Sequence, residues 1–295
     1  MPVSRIDLAD AGSPEKLVTL ILRAEPDLAP PIRIERLCQQ LDIIDVRPLA
    51  TEGFEGGLVT DTERSNGIIL LNEGSHPYRR RFTMGHELAH FLIPTHMPDQ
   101  PGRFLCSRED MSRLTANEND RRARMEVEAN RFSSLLLIPP PMLRAAIGRR
   151  APDLQHIVQL AGQFKVSKEA MARAYVQCHD ELVAVVLVHN GKVMRAHRDR
   201  VRFPFIQPST GEAVPQGSVY CRGKQLPLNV ASEFGACVPD NWIEVKRGER
   251  APTLHEQVYL QRDGYVMILL HLMNPDEDEE EERDLERSWQ PRFRR

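Results

Sequence analysis

The chain has 295 residues, 41% of them hydrophobic and 27% charged, with a formal net charge of −3. That size allows two domains with ordinary apolar cores, and the near-neutral balance excludes a global electrostatic pull toward nucleic acid or an anionic membrane. No apolar stretch approaches the ~20 residues a bilayer requires, and the segment Met1–Asp7 lacks a secretory signal pattern. Five scattered cysteines (Cys38, Cys106, Cys178, Cys221, Cys237) form no C-x-x-C pair and no even framework, so the expectation is a cytoplasmic protein with free thiols.

In chain order, Ser13 as a cap, Pro14 at a first helical position and the stripe Leu17, Leu20, Ile21 predict a helix over 13–25. A second short helix is expected over Ile34–Leu41. Ile43–Leu49 and Gly67–Leu71 read as strands, with Gly53, Gly56 and Gly57 marking the loop between them. A helix follows from Pro77 to Ile93 and should stop before Pro94. Residues 94–118 read as a polar loop, a lid or a connector. A strong helix over Arg121–Ile138 carries Met125, Ala129, Phe132, Leu135 and Leu136 at helical spacing and ends at Pro139-Pro140-Pro141. Short helices over 142–178 give way to strands over 181–271, with hairpin turns at Asn190-Gly191 and Asp263-Gly264. Trp242, Phe234 and Phe205 are core candidates there. The acidic run Asp276–Glu282 reads as a solvated linker, and Leu285, Trp289 and Phe293 as a tail docked on its own protein.

The helix over Pro77–Ile93 carries His86-Glu87-Leu88-Ala89-His90. Positions i and i+4 share a helix face, so both imidazoles point the same way and make half of a zinc site. Glu87 points into the same pocket, where it can take a proton from an activated water. Phe82, Met84, Leu88, Ala89, Phe91, Leu92 and Ile93 mark a buried helix, and a buried helix does not keep two His and a Glu without partners. The pattern is that of a zinc-dependent hydrolase, most often a peptidase; manganese or cobalt also suits such ligands.

A catalytic zinc needs a third protein ligand. Asp120, Glu126, Glu128 and His96 are candidates. Glu126 fits best, because Asn130 one turn later can hydrogen-bond a ligating His and fix its tautomer. Glu128 points elsewhere on the helix and reads as a surface carboxylate. Tyr78, Arg80, His96 and His189 are the candidate oxyanion donors, none of them distinguished. Cys106 lies in the loop between the two helices. An inhibitory thiolate is one reading of it, and an ordinary small loop residue the heavier one.

Arg79-Arg80-Arg81-Phe82-Thr83-Met84-Gly85-His86-Glu87-Leu88-Ala89-His90, followed by Glu126-Val127-Glu128-Ala129-Asn130-Arg131-Phe132 and Leu135–Pro139, resembles the ImmA/IrrE family of metallopeptidases over roughly residues 30–178. Ser133 stands where that family usually has Ala. The resemblance implies a zincin-like core, His86, His90 and Glu126 as metal ligands, Glu87 as catalytic base, and a helix-turn-helix repressor as the protein substrate. It also leads us to expect that the extended segment Ile68–Asn72 is an edge strand that pairs with the peptide. In the IrrE branch a GAF-like domain follows.

The fold expected is therefore α+β: a zincin-like core over 1–141, a helical extension over 142–180, a β-rich domain over 181–275 that serves as a sensor or GAF-like module, and an acidic tail over 276–295. The rival reading is a DNA-binding regulator on a degenerate peptidase scaffold. Residues 153–178 look like a helix-turn-helix, with Ser167 capping a helix that offers Lys168, Arg173 and Gln177. Glu169 opposes phosphate approach, and Arg149-Arg150 is the only adjacent basic pair nearby, a thin electrostatic footprint.

Overall fold

The computed structural model describes residues 2–51, 53–98, 100–117, 119–222, 226–245 and 252–273. The acidic run and the aromatic tail lie outside them. The chain divides into two compact units: Met1–Ala145 with Ala161–Ala170, and Ala146–Leu160 with the residues from Met171 onward. Residues 142–180 are thus shared between the units.

The first unit opens with α1 (Arg5–Leu8), α2 (Pro14–Ala24) and α3 (Ile34–Gln40). Ser13 caps α2 by accepting from the Lys16 amide, and Leu17, Val18 and Ile21 bury its apolar stripe. Next come β1 (Ile43–Leu49), β2 (Gly56–Thr60), β3 (Gly67–Asn72), α4 (Pro77–Leu92), β4 (Arg103–Cys106), α5 (Arg121–Leu137) and α6 (Pro140–Ile147). The sheet runs β1-β3-β2-β4, with β1 parallel to β3 and both β2 pairings antiparallel.

Three expectations are corrected here. Gly56 and Gly57 are not loop residues; they open β2, because other groups occupy the space a side chain would need. A Cβ on Gly57 would stand 2.7 Å from the Phe104 carbonyl oxygen. Second, Ile68–Asn72 is not at an edge: β3 lies between β1 and β2, and the edge strands are β1 and β4. Pro48, which cannot donate to a ladder, is tolerated because β1 is such an edge. Third, the supposed loop 94–118 contains β4 and a 3-10 turn at Asp110–Ser112.

α4 is buried without interruption from Thr83 to Phe91 and packs against α3, α5, β2 and β3. Such burial requires apolar or partnered residues all round. Its contact with α5 is close. A Cβ on Gly85 would come within 2.5 Å of Ser133 Oγ, and that hydroxyl donates to the Phe82 carbonyl at 2.7 Å. The triple proline both ends α5 and starts α6, where the Leu143 amide bonds the Pro139 carbonyl.

α7 (Leu154–Phe164) and α8 (Lys168–Cys178) follow, joined by a turn in which Lys165 takes φ 53°. The β-rich unit is one antiparallel sheet, β5 (Leu182–His189), β6 (Lys192–Arg198), β7 (Gly235–Cys237), β8 (Thr253–Leu260) and β9 (Tyr265–Met273), ordered β6-β5-β9-β8-β7. Asn190 and Gly191 both have positive φ (50° and 74°), the geometry a two-residue hairpin needs. Asp263 and Gly264 repeat it between β8 and β9. The long irregular stretch between β6 and β8 is pinned by buried Glu256, which accepts from Ser218 Oγ, the Val219 amide and Trp242 Nε1. Trp242 is core as expected, but Phe205 and Phe234 are exposed (58% and 38%) and are not. Among the described residues no helix is long and apolar enough to cross a membrane.

Candidate metal centre

α4 presents His86 and His90 one turn apart, and α5 brings Glu126 to meet them. The two Nε2 atoms lie 3.0 Å apart, and Glu126 Oε2 lies 3.1 Å from His86 Nε2 and 3.7 Å from His90 Nε2. β4 adds Cys106, whose Sγ is 3.7 Å from His90 Nε2. The four donor atoms, all buried, lie within 4.8 Å of one another. Sequence reasoning favoured an ordinary loop residue at Cys106. The structure corrects that, because its alternation along β4 points it inward beside Phe104, whose ring stacks on His90 at 4.8 Å.

The surrounding hydrogen bonds fix which nitrogen faces the centre. Asn130 Nδ2 donates to the carbonyls of Asp110 (2.9 Å) and Arg113 (3.0 Å), so its Oδ1, 2.9 Å from His86 Nδ1, must accept. His86 therefore carries its proton on Nδ1 and turns the Nε2 lone pair inward. His90 follows the same logic through a longer chain. Glu128 Oε2 accepts from His96 Nε2 at 3.0 Å, which leaves His96 Nδ1 to accept from His90 Nδ1, also at 3.0 Å. Two imidazole lone pairs and a carboxylate then converge with no donor among them. A divalent cation satisfies such a set; tetrahedral bonds of about 2.0–2.3 Å place donors roughly 3.3–3.8 Å apart, a spacing the His90–Glu126 pair meets and the other two pairs undershoot.

Electrostatics agree with a site built for a cation. Burial lowers the pKa of His90 to about 3, so it stays neutral and available as a ligand. Glu87 is fully buried, and neither carboxylate oxygen has a hydrogen-bond partner. Desolvation first, and then the neighbouring Glu126 charge, push its pKa well above the ordinary carboxylate range. Burial also raises the Cys106 thiol well above its usual value, with Glu87 adding to the shift. Gly56 keeps this space open, since a Cβ there would stand 2.9 Å from Glu87 Oε1.

The other sequence candidates go elsewhere. Asp120 caps α5 by accepting from the Ala123 amide. Glu128 is more than a surface carboxylate: half-exposed, it anchors His96. Of the proposed oxyanion donors, His96 has both ring nitrogens engaged, Arg80 donates to the carbonyls of Ser75 and Glu73, and Tyr78 packs edge-on against His76. His189 stacks on Tyr265 in the β-rich unit. Arg64 was missed. From a left-handed position (φ 54°) it donates to the carbonyls of His90 (3.1 Å), Ile93 (2.9 Å) and His96, capping α4 at its C-terminus. No local pattern announces such a distant cap.

Residues 38–175 match a family model described as Peptidase_M78, IrrE N-terminal-like domain. No curated protein matches the chain. A solved structure titled Mycobacterium tuberculosis transcriptional regulator is similar in fold, with a TM-score of 0.51 at 14% identity over 92% of this chain and 79% of that one.

Proposed function

Residues 38–175 form an IrrE N-terminal-like domain of the Peptidase_M78 family, and from that premise we propose that the protein is a zinc-dependent endopeptidase that cleaves a helix-turn-helix repressor and so derepresses its genes. The observation that carries the reading is the convergence of three lone-pair donors, His86 Nε2, His90 Nε2 and Glu126 Oε2, beside an unpartnered buried carboxylate, Glu87. His86, His90 and Glu126 would hold the ion, and Asn130 and His96 would orient the two imidazoles. A divalent cation there supplies Lewis acidity and brings a water's pKa toward 7. Glu87 takes the proton of the attacking water and returns it to the leaving amine. A carboxyl whose pKa is raised by its surroundings suits both transfers. Burial of the cluster limits solvent to the cleft that reaches Cys106 and Glu126, and manganese or cobalt would be accepted by the same donors.

The rival reading, a DNA-binding regulator, rests on the helix-turn-helix-like segment 153–178; the mycobacterial structure titled a transcriptional regulator adds nothing to it, since a likeness at 14% identity carries fold alone. The burial of α8 weighs against it. Lys168, Glu169 and Arg173 are half-buried, and along that helix only Gln177 is exposed, whereas a recognition helix must offer an open face. The test compares wild type with Glu87→Gln, both zinc-loaded, incubated with purified helix-turn-helix repressors from the same genome. New peptide termini found by mass spectrometry only with wild type support the peptidase. Intact repressors, with DNA retention by the protein itself, favour the rival.

A further inference from the structure

The centre has one donor more than an open catalytic site uses. Catalytic zinc keeps three protein ligands and a free position, while a fourth ligand closes the shell. Here His86, His90 and Glu126 already supply three, and Cys106 Sγ makes a fourth within the same 4.8 Å cluster. Its presence is built by the sheet rather than left to a loop. Gly56 pairs with Cys106 across β2 and β4, the Glu55 amide bonds the Cys106 carbonyl at 3.1 Å, and Phe104 on the same face stacks on His90. A second observation points to a group missing from the same space: both oxygens of Glu87, a wholly buried side chain, lack a partner.

We infer that Cys106 is a built-in fourth donor that closes the centre at rest, so that the folded chain acts as a peptidase only once substrate docking shifts β4. This rests on the metallopeptidase reading above. Binding exchanges the thiol proton for the cation, with no change of oxidation state. Release needs only β4 to move. That strand is four residues long and lies at the sheet edge, paired with β2. Side chains alternate along a strand, so a slip of one residue turns Cys106 away from the centre. A cleft lined by Met97, Arg103, Phe104 and Met125 reaches both Cys106 and Glu126, so displacement of β4 widens an entrance that is already there.

Loading the full chain with Co2+ tests this without reference to activity. The expected result is one bound equivalent with a thiolate-to-cobalt charge-transfer band. Cys106→Ser and Cys106→Ala should keep the equivalent, lose the band, and take up a hydroxamate probe that wild type excludes. Cobalt bound by wild type with no thiolate band would overturn the latch and leave the metallopeptidase reading standing. No cobalt bound by wild type, after titration to excess, overturns both. Should a variant misfold, the wild-type band decides alone.

Discussion

Exchanging Glu87 for Gln keeps the shape of the side chain and removes its basicity. Glu87→Gln should retain one equivalent of zinc by elemental analysis while cleavage falls by about 10²–10⁴. His86→Ala, His90→Ala and Glu126→Ala should lose metal as well. The partners behind the imidazoles make a separate prediction. Removing the acceptor of the His90 proton (His96→Ala) or of the His86 proton (Asn130→Ala) should weaken zinc affinity by about 10–100-fold in competition with a chromogenic chelator. Full affinity in both variants would mean that tautomer control contributes nothing. At this scale the sequence was readable where spacing alone settles geometry, as for His86 and His90. It left the roles of His96 and Glu128 unresolved and passed over Arg64, because each depends on which distant group it meets.

Helix α4 is held at both ends by groups that sequence periodicity does not register. At its C-terminus, Arg64→Ala would leave carbonyls of the last turn unpaired and should cost about 2 kcal/mol, measured as a lower urea midpoint. Near its N-terminus, buried Glu55 joins Arg79 (3.0 Å), Arg108 (3.3 Å) and Ser75 (2.8 Å). Burial works to raise the Glu55 carboxyl, but Ser75 and the two guanidinium groups outweigh it and hold it below the ordinary range. A folded pKa below the unfolded value of about 4.3 adds stability that is full above that value. The contribution disappears as pH falls through the folded pKa. The stability gap between wild type and Glu55→Gln should therefore be present at pH 7 and shrink in acid. A gap constant across that range would show that the charge is not its source. Among the elements, α4 and α5 were legible because long apolar periods survive any tertiary context. β2 and β4 were not, since Gly56-Gly57 mimics a turn and β4 is shorter than any period can show.

At the scale of the whole molecule, a net charge of −3 and a half-buried α8 predict negligible non-specific affinity for duplex DNA at physiological salt. Lys168→Ala with Arg173→Ala should leave that unchanged in a filter-binding measurement. A steep salt dependence in wild type would contradict it. The mixed composition and the shift from helical to alternating patterns near residue 180 made the α+β character readable from sequence. The division into units Met1–Ala145 with Ala161–Ala170, and the remainder, was not, because it follows contacts between segments remote in the chain.

If the proposed peptidase takes its substrate along the rim strand β4, that position has a consequence for what can be cut. An open strand edge recognises backbone in extended form, and a helical repressor presents none while folded. A scissile segment docking there would have to fray first, and the free energy of that fraying would enter the observed rate. Substrates whose target helix is stapled should be spared, and those loosened by a single core truncation should be cut faster, with the chemistry at the centre unchanged. Selectivity would then lie as much in the pliancy of the substrate as in its sequence.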